Sequence, residues 1–237
     1  MRLAIVILAA GESRRLGEAK QLISINGKSL LQDRLEVIKK TVTNFDADYF
    51  NCELYCVLGS RNESIKKQIN FSSVTLIDNG KWQEGIASSL RISVDFINES
   101  YKPDAIMYVT CDQWCLNRMD FQKLLSLWVE NIKLNSNNIV AAEYETLGVP
   151  AIFDKKWFVY LRELTGDSGA KKILNRFKND VTPCPLPNAK FDLDTKQDYL
   201  FAQKIYKAQM TELSYADAQD NSIQTPDSHR TTLGAIL

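Results

Sequence analysis

The chain reads as an α/β protein of three layers, α/β/α, with helices on both faces of a mostly parallel sheet. Three observations predict this. Six short apolar runs have the length and purity of buried strands. The segments between most of them carry apolar residues at helical spacing. The two kinds of segment alternate, which is the pattern of βαβ units.

The first run, Leu3–Leu8, is unbroken, as expected of a strand covered on both faces. Beyond it, Leu31, Leu35, Ile38 and Val42 fall on one helical face. Glu53–Leu58 and Val74–Ile77 are the next strands. Ile86, Leu90, Val94 and Ile97 mark a second helix, and Ala105–Thr110 a fourth strand. Phe121, Leu124, Leu125, Trp128 and Ile132 mark a third helix. Asn138–Ala142 and Val149–Phe153 complete the strands. A last helix starts after Asp194 or Thr195, either of which can cap it, and runs to about Gln209. Residues 1–209 are expected to form one domain. Residues 210–237, rich in Ser, Thr, Asp, Asn and Gln, are expected to form a polar, mobile tail. Ligands of such sheets bind beyond the carboxyl ends of the strands. That places Gly11, Gly59, Asp78 and Asp112 near one rim.

Composition removes several function classes. Lys+Arg and Asp+Glu both number 29, so the basic excess of a general nucleic-acid binder is missing. The first apolar run is far shorter than the roughly 20 residues of a membrane helix, and no later segment qualifies. It is also at the short limit for a secretory signal, and the sequence after it continues in the same α/β style. The 5 cysteines, an odd number, point to reduced thiols and a cytoplasmic protein. Cys52/Cys56 and Cys111/Cys115 are C-x-x-x-C pairs without zinc-knuckle spacing, and they read mainly as core residues. The single histidine, His229, lies in the polar tail.

The chemistry concentrates in two places. After the first strand comes Gly11-Glu12-Ser13-Arg14-Arg15-Leu16-Gly17, then Lys20. It is no G-x-G-x-x-G fingerprint, and Gly27-Lys28-Ser29 lacks the first glycine of a Walker A loop because Leu22 stands there. Physically, glycine permits close backbone approach, successive N–H groups form an anion nest, and Arg14, Arg15 and Lys20 supply positive charge. This fits a nucleoside-phosphate site; the plain alternative is a surface turn with solvated basic residues. The second place is acidic. Asp112 ends a strand, while Asp192 and Asp194 alternate along an extended segment and so face one way. Carboxylates meeting near a phosphate commonly hold Mg²⁺. Alternatively, Asp112 caps a turn and Asp194 a helix.

The segment L-A-A-G-E-S-R-R-L-G-E-A-K, Leu8 to Lys20, resembles the L-A-A-G-x-S-x-R-M-G-x-x-K motif of MobA/MocA-like nucleotidyltransferases, with Leu16 in place of Met. Five further segments follow in family order. Asn79–Leu90 looks like N-x-x-W-x-x-G-x-x-x-S-L, and Asp112-Gln113 like the start of D-Q-P. Gly148-Val149-Pro150 is similar to G-H-P, Gly166–Ala170 to G-D-x-G-A, and Asp192–Thr195 to D-I-D-T. The resemblance spans residues 3 to about 200. Two departures stand out: Trp114 replaces the proline after Asp-Gln, and Val149 replaces histidine.

The resemblance implies a Rossmann-like, GT-A-like nucleotidyltransferase fold. It is closest to the molybdenum cofactor cytidylyltransferases, which move CMP from CTP to the phosphate of molybdopterin cofactor and release pyrophosphate. In that family L-A-A-G accompanies CTP, so Ala10 favours cytidine. The implied nucleotide-binding residues are Leu8, Ala9, Ala10, Gly11, Ser13, Arg15, Lys20, Asp78, Asn79, Gly85 and Ser88. Lys20, Arg15 and Asp112 would be catalytic, and Asp112 and Asp194 would hold Mg²⁺. Gln113, Trp114, Asp167 and Ser168 would shape the acceptor side, with Trp114 and Trp82 each open between ligand stacking and packing. CTP, molybdopterin cofactor and a molybdenum hydroxylase or its assembly factor are the expected partners. Other readings are transfer to a sugar or polyol phosphate, a non-catalytic cofactor-binding assembly factor, and a redox or zinc module built on the cysteines.

Overall fold

The computed structural model describes residues 1–25, 27–43, 45, 51–134, 136 and 139–207. Strand β1 (Arg2–Ala9) is followed by a small antiparallel pair, β2 (Ser24–Ile25) and β3 (Lys28–Ser29), and by helix α1 (Leu30–Thr43). Then come β4 (Asn51–Leu58), α2 (Asn62–Gln68), β5 (Thr75–Asp78), α3 (Ile86–Ser100), β6 (Ala105–Thr110) and α4 (Arg118–Lys133). The remainder is β7 (Ile139–Glu143), β8 (Leu147–Asp154), α5 (Phe158–Arg162), α6 (Ala170–Arg176), β9 (Val181–Pro185) and a last helix, α7, over residues 196–207. The tail 210–237, His229, the expected helix end near Gln209 and Asn138 of the fifth expected strand lie outside the described residues.

Seven strands make one sheet in the order β5-β4-β1-β6-β8-β7-β9. β1 is an interior strand, parallel to both neighbours β4 and β6, which explains its unbroken apolar run: Leu3 to Ile7 are fully buried. Its side chains alternate between two cores. Leu3, Ile5, Ile7 and Ala9 pack with α1 and α4, through Leu31, Leu35, Phe121 and Trp128. Ala4, Val6, Leu8 and Ala10 pack with α3, α5 and α6, through Leu90, Val94, Leu161 and Leu174. These are the two helical layers.

Two features depart from the strand reading. β8 runs antiparallel to β6 and β7. Only residues 144–146 join β7 to β8, and so short a link closes a hairpin rather than a crossover. β9 carries Pro183 and Pro185 and has no periodic signal; it is tolerated because it is an edge strand, pairing with β7 alone.

One buried cation anchors the loop after β6. Arg34 of α1 is 1% exposed. It donates to the carbonyls of Leu116 (2.7 Å) and Gln113 (2.8 Å), and its guanidinium lies over the Phe121 ring. Arg34→Met keeps the apolar stem but strands the Leu116 carbonyl. We expect it to destabilise the protein by about 2–3 kcal/mol, read as a lower urea midpoint with an unchanged slope.

Candidate functional site

At the carboxyl end of β1 the chain turns through the glycine loop. Gln21, 1% exposed, holds that turn: its Nε2 donates to the carbonyls of Ala9 (2.7 Å) and Gly11 (2.9 Å). Ser13 takes a left-handed conformation, φ +62°. Its carbonyl accepts from the Leu16 and Gly17 amides, and its Oγ accepts from the Lys20 amide at 3.1 Å. The loop therefore folds back and sets Lys20 over the sheet's end.

The acidic half is built by backbone pairing. Gln113 forms an isolated antiparallel bridge with Asp192, and the Asp112 carbonyl accepts from the Leu193 amide at 3.0 Å. Leu193 is fully buried, so Asp192 and Asp194 turn the other way. Thr195 caps α7: its Oγ1 accepts from the Asp198 amide, and the Asp198 carboxylate accepts from the Asp194 and Thr195 amides. With Thr195 and Asp198 serving the cap, Asp194 is free for other partners.

The halves meet at Lys20. Its ammonium donates to Asp112 Oδ2 and, at 3.0 Å, to Asp194 Oδ1. Arg15 donates to the other Asp194 oxygen at 2.7 Å. The Lys20 and Asp112 side chains are only 16% and 15% exposed. Burial works against the Lys20 ammonium, but Asp112, Cys111 and Asp194 outweigh it and raise its pKa. Burial likewise opposes the Asp112 carboxylate, and Lys20 outweighs that and lowers it. Partial burial, and then Asp112 and Asp194, push the Asp192 carboxyl well above the usual carboxylate range, although its exposure to solvent screens part of that push.

Opposite lies a second wall. Asn79, buried, donates to Ser88 Oγ (2.8 Å) and Ser89 Oγ (3.0 Å), locking the start of α3 onto the end of β5. Gly85 has φ +114°, and a Cβ there would lie 2.4 Å from Asp167 Oδ1 and 2.5 Å from the Gly166 carbonyl oxygen. Glu84 and Arg91 pair through both guanidinium NH₂ groups, and Arg91 also donates to the Leu164 carbonyl. That clasp fixes the loop bearing Asp167. Between the walls is a cleft of about 380 Å³, lined among others by Ala10, Ser13, Lys20, Trp82, Asp112 and Asp167. Its size suits a small-molecule ligand.

Several expected residues stand elsewhere. Ala9 faces the opposite core and contributes only its carbonyl, held by Gln21. Asp78 turns to Lys66 (2.9 Å) on α2. Gln113 is buried, its Nε2 donating to the Val149 and Ala189 carbonyls, so it braces the wall instead of facing an acceptor. Trp114 is 5% exposed among Leu16, Leu193, Phe191 and Tyr206, which decides its case for packing. Ser168 is absent from the cleft lining, its amide turned to the Thr165 carbonyl. Trp82 does line the cleft. Gln21, Glu84 and Arg91 carried no sequence signal: each acts through a partner distant in the chain or through a carbonyl.

The residues present fit a divalent cation. Asp112 Oδ1 is buried without a hydrogen-bond partner, while Asp194 is close by through their shared lysine. Among the described residues no group of three or more His, Cys, Asp or Glu side chains converges. A cation here would draw on these two carboxylates and on ligand oxygens, a donor set that suits Mg²⁺ or Mn²⁺. The cysteines form no centre: all are free thiols, with Cys56, Cys111 and Cys184 buried in the core. Among the described residues, no helix is long and apolar enough to cross a membrane.

A basic glycine loop and two carboxylates lie together beyond the carboxyl ends of the central strands, the place where doubly wound α/β proteins take their ligands. The chain belongs to the MobA-like NTP transferase family, whose domain matches residues 5–181. No curated protein matches it in sequence. Among solved structures it is similar to Rv0371c from Mycobacterium tuberculosis H37Rv, at 23% identity over 85% of this chain and 97% of that one, with TM-score 0.70. A second structure of Rv0371c, a complex with manganese, aligns at 20% identity over 86% and 99%, TM-score 0.66. Molybdopterin-guanine dinucleotide biosynthesis protein A from Archaeoglobus fulgidus aligns at 14% identity over 86% and 99%, TM-score 0.57. At these identities the likeness shows the fold, a Rossmann-like nucleotidyltransferase α/β sheet.

Gly85→Ala should disrupt the cleft while replacing no charged residue. The new methyl meets backbone at a φ that side chains rarely adopt. We expect a stability loss above about 1 kcal/mol and weaker nucleotide binding, read by thermal unfolding and by calorimetry with CTP.

Proposed function

We propose that this protein transfers CMP from CTP to the phosphate of molybdopterin cofactor, releasing pyrophosphate with Mg²⁺ or Mn²⁺ as the metal. The single observation that carries the reading is the meeting of Lys20 with Asp112 and Asp194 beneath the glycine loop. Family membership supports nucleotidyl transfer. Ala10, which lines the cleft, supports cytidine through the L-A-A-G resemblance. The manganese complex of Rv0371c supports a divalent ion.

Such transfers depend on positioning and charge neutralisation more than on a protein nucleophile. The glycine-loop amides and Lys20 receive the triphosphate, with Arg15 at the outer edge. An acceptor phosphate is already ionised near neutral pH, so no general base is needed. Its oxygen forms a bond to the α-phosphorus as the bond to the bridging oxygen breaks, and pyrophosphate leaves with that electron pair. Lys20 neutralises the charge that builds on the departing group. A divalent ion on Asp112 and Asp194 would supply further neutralisation of the phosphate oxygens. Asn79, Ser88 and Gly85 shape the wall facing the glycine loop, and Asp167 stands where it can accept a hydrogen bond from the ligand.

One observation favours a second reading of the acceptor. Val149 is aliphatic and packs into the apolar core where the family pattern has histidine, and Gln113 occupies its carbonyl. A sugar or polyol phosphate is then the alternative acceptor. A non-catalytic assembly factor fits less well, because Lys20, Asp112 and Asp194 are all retained.

The test is pyrophosphate release with Mg²⁺ and molybdopterin cofactor, comparing CTP, GTP and ATP. The proposal expects release with CTP alone, at least about 100-fold slower in Asp112→Ala, with Lys20→Ala raising the KM for CTP and lowering kcat. Wild-type turnover in Asp112→Ala would overturn the site; release only with a sugar or polyol phosphate would replace the acceptor.

A further inference from the structure

The carboxylates proposed to hold the metal are occupied by the chain's own cations. Of the four oxygens of Asp112 and Asp194, Lys20 takes one from each and Arg15 takes a third. Only Asp112 Oδ1 is left without a partner. The Lys20–Asp112 pair is shielded from solvent, so its attraction is poorly screened. A divalent ion that uses both carboxylates must displace the ammonium, and an ammonium moved off them without a new anion would be left poorly solvated. A polyphosphate supplies that anion. Lys20 lines the same cleft as Gly11 and Ser13, where the phosphates are proposed to sit.

We propose that Lys20 is an internal counter-ion that closes Asp112 and Asp194 to a divalent cation until a nucleotide triphosphate draws its ammonium away, so that nucleotide and cation bind with positive coupling. The inference rests on the reading of Lys20 as a phosphate ligand and of the two aspartates as metal ligands. It goes further by giving Lys20 opposite effects on the two ligands: it favours the nucleotide and opposes the cation. Arg15 shares the second effect weakly, because its pair with Asp194 is exposed. Coupling of this kind is reciprocal, and typical couplings are roughly 5- to 150-fold.

The experiment is Mn²⁺ binding to the full chain, followed by electron paramagnetic resonance with and without CTP and with no acceptor present. Wild-type protein should bind Mn²⁺ weakly alone and roughly tenfold or more tightly with CTP. Lys20→Met should bind Mn²⁺ alone roughly tenfold more tightly than wild type, bind CTP more weakly, and lose most of the coupling. Lys20→Gln, which keeps a polar head in the site, serves if the methionine variant does not fold, and the same direction is expected. Unchanged or weaker Mn²⁺ binding in a folded Lys20 variant would overturn the counter-ion role. The underlying site is tested separately with Asp112→Asn. If that variant binds Mn²⁺ as wild type does in the presence of CTP, the metal assignment itself fails, whatever the Lys20 variants do.

Discussion

The ammonium of Lys20 lies between the carboxylates of Asp112 and Asp194, and the rest of the site is arranged around that triad. Like charges this close repel strongly in a half-buried setting. Without the lysine, the neighbouring Asp112 and Asp194 carboxylates would repel each other unscreened; beside them the Asp192 carboxyl is pushed up, first by partial burial and then by Asp112 and Asp194. The triad also joins three distant parts of the chain: the loop after β1, the end of β6 and the extended segment before α7. Half-buried ion pairs contribute little net stability once desolvation is counted. What this one contributes is position, since it fixes where an anion and a cation can meet.

The surrounding fold supplies rigidity at two levels. β1 and β6 sit side by side at the centre of the sheet, so both loops of the candidate site leave a scaffold buried on both faces. Each loop is then held by a buried polar side chain acting on carbonyls. Gln21 grips the glycine loop at Ala9 and Gly11, and Arg34 grips the loop after Asp112 at Gln113 and Leu116. On the far wall Asn79 instead donates to the Ser88 and Ser89 hydroxyls, and the Glu84–Arg91 pair holds the loop bearing Asp167 through the Leu164 carbonyl.

Much of the fold was legible because burial writes itself into strand and helix patterns. The run Leu3–Leu8 announced a central strand, and the apolar faces of α1, α3 and α4 matched their periodicity. The antiparallel turn of β8 and the proline-bearing β9 escaped because they are set by link length and by edge position. Strand-end logic placed Gly11, Gly59, Asp78 and Asp112 at one rim, and Asp78 turns away to Lys66; the basic loop, the acidic segment and the family resemblance added Lys20 and Asp194, and the structure joins these two to Asp112. The sequence reading failed on Gln113 and Trp114. Both follow Asp112 directly, yet the chain turns there, and their side chains enter the protein instead of the cleft. Gln21 and Arg34 were invisible for the complementary reason: a residue that works by holding a distant carbonyl leaves no motif.

Lys20, Asp112 and Asp194 are proposed to form one phosphate-and-metal site. The most direct test is a crystal structure of the full chain with CTP and Mn²⁺, with the metal located by anomalous scattering. The manganese peak is expected within coordination distance of both Asp112 and Asp194, with Lys20 Nζ moved from the carboxylates to a phosphate oxygen. A peak elsewhere, or CTP bound outside the cleft with Lys20 still between the aspartates, would contradict that site.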